Sequence, residues 1–434
     1  MSKSIKDISL QWHRFTHGKI QVNLKCPITS FEDFRIWYTP GVADPCIEIA
    51  KNEELVYEYT NKANNVAVVS DGTRVLGLGK IGPMAGMPVM EGKALLFKYL
   101  GDVDAFPICL DAHDPHQIVD AVKWISPSFG GINLEDIESP KCYYVFDKLS
   151  KELNIPVIHD DRQGTAVVVL AALINALKVV GKKLKDVRIT IIGCGAAGTA
   201  TAELLMAAEA NPKKMILTDR SGIISPNSPK MDPVKEKLIR LTNEERREGG
   251  IKEALKDADV AIGLSSSGPG IITKDMIRGM ADKSIVFALA NPVPEIGTPE
   301  EAKAGGAAIV ATGRPDYPNQ VNNSVCFPGI FRGMLDVWAK GINDAILIAA
   351  AYEIANVAEE DGLSVDYIIP RMDNLELYPR EAAAVAKATI QTGMARRKDE
   401  RPEDIYESTK QRISRYRNAL KELIHIGYLQ LPPK

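Results

Sequence analysis

An apolar run at residues 187–192 leads directly into Gly193-Cys194-Gly195-Ala196-Ala197-Gly198 and then into a stretch of small residues at 199–205. This feature constrains the fold more than any other in the chain. A strand that ends in a glycine turn and doubles back as a helix is one βα unit of a parallel sheet. The three glycines permit the tight turn, the close approach of a pyrophosphate and the close packing of helix on strand. The amides at the start of that helix then face the phosphates. Alone, a GxGxxG run is weak evidence, and it could be a turn with no ligand. Its context is specific, however, because a second strand-like run at 214–218 ends at Asp219, where an acid would grip an adenosine ribose. The candidate cofactor contacts are therefore Gly193, Gly195, Ala196, Ala197, Gly198, Asp219 and Arg220. Asp219 repels a ribose 2′-phosphate and Arg220 attracts one, so the choice between NAD and NADP stays open.

The rest of the chain alternates short apolar runs with helix-length segments, the layout of an α/β protein. Runs at 65–69, 75–78, 105–109 and 131–134 read as strands, with helices starting near Ala43, Ala85, Pro115 and Ser139. After the run 155–158, a long helix is expected from about Gln163 to Val180, joining two domains. Further strands at 187–192, 214–218, 260–264, 285–289 and 307–310 complete a Rossmann-type doubly wound domain. Residues 226–250, rich in Pro, Asn and charge, read as a surface insertion, and the chain is helical from Ile342 onward. The expected divisions are an N-terminal α/β domain at 1–158, a dinucleotide domain at 159–350 and a helical segment at 351–434.

Composition excludes several classes of partner. The 434 residues are 45% hydrophobic and 25% charged with a net charge of −3, which suits a globular core and lacks the basic face of a nucleic-acid binder. No run reaches the ~18 uninterrupted apolar residues of a membrane span. The stretch 165–180 contains Asn175 and Lys178 and reads as a buried helix. The N-terminus has no signal-peptide pattern, so a cytoplasmic protein is expected. Six cysteines without CxxC or Cys/His metal spacing read as reduced, mostly buried residues.

Acidic residues stand at two expected strand ends, Glu135-Asp136 and Asp160-Asp161. In open α/β sheets, ligands bind at the carboxyl ends of strands. Converging carboxylates repel unless a proton or cation intervenes, and Mg²⁺ or Mn²⁺ suits an all-oxygen donor set. The competing reading makes them helix caps, since Asp161 precedes a helix start. His159 reads as a buried, hydrogen-bonded residue.

Seven segments, in order, resemble the malic enzyme family. They begin with Trp37-Tyr38-Thr39-Pro40-Gly41-Val42, Ser70-Asp71-Gly72-Thr73-Arg74-Val75-Leu76-Gly77-Leu78-Gly79 and Gly86-Met87-Pro88-Val89-Met90-Glu91-Gly92-Lys93. Asn133-Leu134-Glu135-Asp136-Ile137, His159-Asp160-Asp161-Arg162-Gln163-Gly164-Thr165-Ala166, Ala290-Asn291-Pro292-Val293-Pro294-Glu295 and Asn319-Gln320-Val321-Asn322-Asn323 follow. The resemblance covers about residues 30–390 and is of the short microbial type, without a phosphotransacetylase-like domain. It implies that Tyr38 is a catalytic acid, Lys93 a catalytic base, and Glu135, Asp136 and Asp161 the ligands of Mn²⁺ or Mg²⁺, with Asp160 beside them. It further implies that Asn291 and Asn323 lie near substrate and nicotinamide, and that Arg74 holds a substrate carboxylate. Many short members lack that arginine. Lys80 stands where the family often has Asn or Asp.

The activity so implied is metal-dependent oxidative decarboxylation of malate to pyruvate with reduction of NAD or NADP. As a base, Lys93 would need a depressed pKa, which burial beside the cation would favour. The resemblance also implies a homodimer, for which Trp12, His13, Phe15 and the cluster at 31–37 offer aromatic surface. A malolactic enzyme, releasing lactate with no net coenzyme reduction, fits the same residues, and none of them separates the two; a metal-free two-domain dehydrogenase acting on an amino acid or a folate is a further alternative. A catalytically dead nucleotide binder would not be expected to keep Tyr38, Lys93, Glu135, Asp136 and Asp161 together.

Overall fold

The computed structural model describes residues 4–229 and 231–433. Two mainly parallel sheets organise the chain. The first has strands β1 (Asn65–Ser70), β2 (Asp104–Cys109), β3 (Gly131–Leu134) and β4 (Val157–His159) in the order β2-β1-β3-β4. The second has β5 (Ile189–Ile192), β6 (Met215–Asp219), β7 (Gly222–Ile223), β8 (Val260–Gly263), β9 (Ile285–Ala288) and β10 (Ile309–Thr312) in the order β10-β9-β8-β5-β6-β7. Only β7 runs antiparallel, against β6.

Both sheets are buried on both faces, and the period-2 geometry of a strand explains why these runs are continuously apolar. In β1, Val66 and Val68 enter the main core, whereas Ala67 and Val69 enter a second cluster with Ile118, Val122, Val145 and Leu149. The same division recurs in β9, with Ile285 and Phe287 on one side and Val286 and Ala288 on the other.

Helix Thr165–Val180 links the two sheets and is buried on nearly every side. The segment 160–180 is long and apolar enough to cross a membrane, but 83% of its most apolar window is buried inside the protein. The buried Asn175 amide donates to the carbonyls of Ala355 (2.9 Å) and Ile368 (3.0 Å), while its Oδ1 has no partner among the described residues. Helices Asp344–Asp361, Leu377–Gln391 and Pro402–His425 complete the C-terminal part. The last one reaches back to elements flanking the first sheet, where Arg412 donates to Asn64, just before β1, and Arg417 to the Tyr99 hydroxyl on helix Pro83–Gly101.

Two expectations need correction. The run 75–78 is not a strand but a hairpin closed by one bridge between Val75 and Gly79. Leu76 takes φ +48° and Gly79 φ +75°, values that turn the chain instead of extending it. Residues 226–250 are not wholly a surface insertion, because they include helix Pro233–Ile239, whose Leu238 is fully buried. Among the cysteines, Cys142, Cys194 and Cys326 are buried, while Cys26, Cys46 and Cys109 are not; all six are free thiols.

Candidate active site

The carboxyl ends of β3 and β4 deliver four acids to one place. Glu135 and Asp136 follow β3, and Asp160 and Asp161 open the π-helical turn Asp160–Gly164 that follows β4. One ligand oxygen from each of Glu135, Asp136 and Asp161 lies within 4.8 Å of the others. Asp136 adopts φ +55°, a conformation that costs energy in a non-glycine residue and aims its side chain back toward Asp161. Its amide donates to Asp161 Oδ2 (2.9 Å), and its carbonyl accepts from the Arg74 amide (3.0 Å).

Lys93 enters from helix Pro83–Gly101 and is buried. Its Nζ lies 2.5 Å from Asp160 Oδ2, 3.0 Å from Glu135 Oε1 and 4.2 Å above the Phe327 ring. Asn323 donates to the same Asp160 oxygen, and Asn133 donates to Glu135 Oε2 at 2.8 Å. Gly164 is required here, because a Cβ would stand 2.0 Å from Asp160 Oδ1.

The electrostatics of this cluster are unbalanced. Four carboxylates surround one ammonium. Burial drives Glu135 well above the usual carboxylate range against the pull of Lys93, and burial with the Asp161 charge pushes Asp136 up to about 7. For Lys93, burial acts downward but Asp160 and Glu135 outweigh it, so its pKa is raised. A depressed amine is expected only with a cation beside it, whose charge would oppose that of these carboxylates. Asp136 Oδ2 and Asp160 Oδ1 are buried without a hydrogen-bond partner among the described residues. An all-oxygen donor set with excess negative charge and an orphaned oxygen fits a hard divalent cation.

His159 is fully buried, and burial followed by the Arg162 charge lowers its imidazole to about 3. Neither ring nitrogen makes a hydrogen bond among the described residues, and Nδ1 lies 3.8 Å from Asp161 Oδ2. The expected hydrogen-bonded histidine is therefore buried but not paired.

The glycine loop follows β5, the strand at which the order of the second sheet reverses. Gly193 has φ +102°, and a Cβ there would meet the Leu264 carbonyl at 2.5 Å. A Cβ on Gly198 would lie 2.0 Å from the Gly193 carbonyl oxygen, whereas Gly195 faces open space. The outer two glycines pack the turn, and the middle one leaves room for a ligand backbone at the start of helix Ala196–Ala207. At the end of β6, Asp219 Oδ1 accepts from the Ser221 amide (2.8 Å) and hydroxyl (2.5 Å). Arg220 turns to the Ser266 hydroxyl. Lys235, from the supposed surface insertion, stands 3.8 Å from Asp219 Oδ2.

The structure therefore brings together Lys93, Glu135, Asp136, Asp160, Asp161 and Asn323. Arg74 lies at the rim, where its charge reaches Asp161. Asn291 lies on the turn after β9, its amide packed over Gly313. Tyr38 does not join the cluster. Its side chain is 68% exposed and makes no hydrogen bond among the described residues. Sequence reasoning missed Asn133, Lys235, Phe327 and the buried Glu295, whose carboxylate accepts from Ser265 and Ala290. Asn133 and Glu295 carried a signal, as the first and last residues of two quoted segments.

A doubly wound dinucleotide domain set against a buried lysine and a triad of converging acids defines a nicotinamide-dependent dehydrogenase with a cation-binding pocket. Residues 17–150 match the family model "Malic enzyme, N-terminal domain", and residues 162–390 match "Malic enzyme, NAD binding domain". The chain belongs to the malic enzyme family. It is 47% identical to the bifunctional malic/malolactic enzyme of Bacillus subtilis, over 94% of this chain and 98% of that protein. It is 50% identical to the NAD-dependent malic enzyme of Geobacillus stearothermophilus, over 88% of this chain and 78% of that one. The crystal structure of malic enzyme from Pyrococcus horikoshii superposes with a TM-score of 0.93 at 51% identity, covering 97% of this chain and 98% of that one.

Proposed function

We propose that this chain oxidatively decarboxylates (S)-malate to pyruvate and CO₂, reducing NAD(P), in the cytoplasm. The observation that carries the reading is the buried Lys93 amine between Glu135 and Asp160, beside the converging oxygens of Glu135, Asp136 and Asp161. A Mg²⁺ or Mn²⁺ ion held by those three acids would supply Lewis-acid chemistry, polarising the C2 oxygen and offsetting enolate charge.

The chain's own groups do the rest. Arg74 grips a substrate carboxylate, and Asn291 and Asn323 orient substrate and nicotinamide from the coenzyme side. A cation on the three acids would offset the carboxylate charge that raises Lys93, leaving a neutral Nζ to receive the C2 hydroxyl proton as the C2 hydride passes to the nicotinamide. Asp160, with Asn323, holds that amine in place. The C3–C4 bond then breaks to release CO₂, and the enol of pyruvate takes a proton at C3 from the Tyr38 hydroxyl.

Tyr38 is exposed in the single chain, as are its neighbours Ile36, Trp37 and Val42. No side chain in residues 4–56 is buried, although Ile5, Val22, Phe31, Ile36 and Trp37 are all more than half exposed. An apolar surface of this kind supports a homodimer in which the N-terminal arm, with Tyr38, is covered by the second copy.

The test is malate turnover with Mn²⁺ followed by nicotinamide absorbance. Lys93→Ala should lower kcat by about 10²–10⁴-fold, and Asp161→Asn should abolish Mn²⁺ binding measured by titration. Near-normal turnover in either variant would sink the assignment. A malolactic reaction is a second reading, favoured by the name of the B. subtilis relative. It predicts lactate and no net NADH, whereas the main reading predicts both pyruvate and NADH.

A further inference from the structure

The loop that carries Arg74 meets the turn that carries Asn291 at Gly77. A Cβ built on Gly77 would lie 2.9 Å from Pro292 Cδ and 3.2 Å from the Asn291 carbonyl oxygen. Gly77 does not have a left-handed φ, so its backbone suits any residue and only space demands glycine here.

Of the two partners, the Asn291–Pro292 side is the rigid one. Glu295, fully buried, accepts from the Ser265 amide (2.9 Å), the Ser265 hydroxyl (3.2 Å) and the Ala290 amide (3.0 Å). Arg314 donates to the Pro292 carbonyl at 3.0 Å, and the Val293 amide donates to the Ser267 hydroxyl at 3.0 Å. The opposite side is a short hairpin whose tip residues Leu76 and Leu78 are 65% and 69% exposed. An added methyl must therefore displace the hairpin, by roughly 0.5–1 Å to restore ordinary carbon contact. The hairpin is not free to absorb this locally. Its foot is Arg74, whose amide is bonded to the carbonyl of Asp136.

We propose that Gly77 is a positioning residue that sets the spacing between the Arg74–Asp136 wall of the cleft and the Asn291 wall. That spacing fixes the distance over which hydride passes from C2 of the hydroxy acid to the nicotinamide. The inference rests on the malate-oxidising reading and deepens it.

The test compares Gly77→Ala with a control on the same hairpin, Leu78→Ala. Three quantities are read: kcat/KM for malate with Mn²⁺, NADH affinity by fluorescence without malate, and the primary isotope effect with 2-deuterated malate. In Gly77→Ala, kcat/KM should fall roughly 10- to 100-fold, the isotope effect should rise, and NADH affinity should hold. Gly77→Val should lose more, and Leu78→Ala should match the unsubstituted enzyme. Unchanged kinetics in Gly77→Ala would overturn the proposal. So would a parallel loss of NADH binding, which would make the glycine merely structural. If the unsubstituted enzyme did not oxidise malate, the parent reading would fall, and the spacer with it.

Discussion

Single side chains decide the chemistry and also a part of the pH response. Glu381 is fully buried in helix Leu377–Gln391, with neither carboxylate oxygen hydrogen-bonded among the described residues. Burial, with the Glu353 charge adding to it, raises its pKa well above the usual carboxylate value. An acid whose folded pKa exceeds its unfolded value, about 4.3, costs no stability below that value. The cost then grows with pH until the folded pKa is passed. Glu381→Gln removes this term. Its melting temperature should therefore gain on that of the parent between pH 4 and pH 8, and a constant difference across that range would contradict the assignment. At the coenzyme site, Asp219→Ser removes a charge that repels the 2′-phosphate while Lys235 and Arg220 remain. The NADP-to-NAD ratio of kcat/KM should rise by about tenfold or more, measured in paired steady-state assays. The glycine loop and Asp219 were legible in the sequence, because each residue type is forced by local geometry. Lys235 was not, because it reaches Asp219 from a separate helix across the fold.

At the scale of elements, apolar runs identified most strands within a residue or two, since a strand buried on both faces leaves a continuous hydrophobic record. The run 75–78 misled because Val-Leu-Gly-Leu has strand composition, yet its glycine is there to approach Pro292 and its neighbour Leu76 turns with positive φ. The acids at 135–136 and 160–161 were visible as strand-end residues, but spacing alone could not distinguish a cation pocket from helix caps. Nothing in the sequence announced the polar anchor under the last helix. There Arg332, 1% exposed, donates to Asn64 (2.5 Å) and Asp336 (2.6 Å), and Arg412 adds a bond to Asn64. Arg332→Met would leave Asp336 buried with its main partner gone. A loss of about 3–5 kcal/mol is expected in urea unfolding, and a loss below 1 kcal/mol would show that Arg412 suffices.

For the whole molecule, the proposed homodimer is tested at the N-terminal arm, which has no buried side chain in residues 4–56. Charges placed on its apolar surface, as in Trp12→Asp with Ile36→Asp, should shift the sedimentation coefficient toward that of a monomer. Malate turnover should fall with it, because Tyr38 lies on the same arm, while NADH binding at the distant glycine loop should persist. A monomeric variant with full turnover would separate Tyr38 from the second copy.

The turn Asp160–Gly164 has a consequence for any attempt to recombine this enzyme with its relatives. It is at once the exit from the first sheet, the source of two site acids and the start of the shared core helix, with Gly164 packed against Asp160. A chimera joined there would graft one parent's acid onto the other parent's helix at the point of least tolerance. Working crossovers should instead fall past Gly181, where the helix has ended and the chain is exposed.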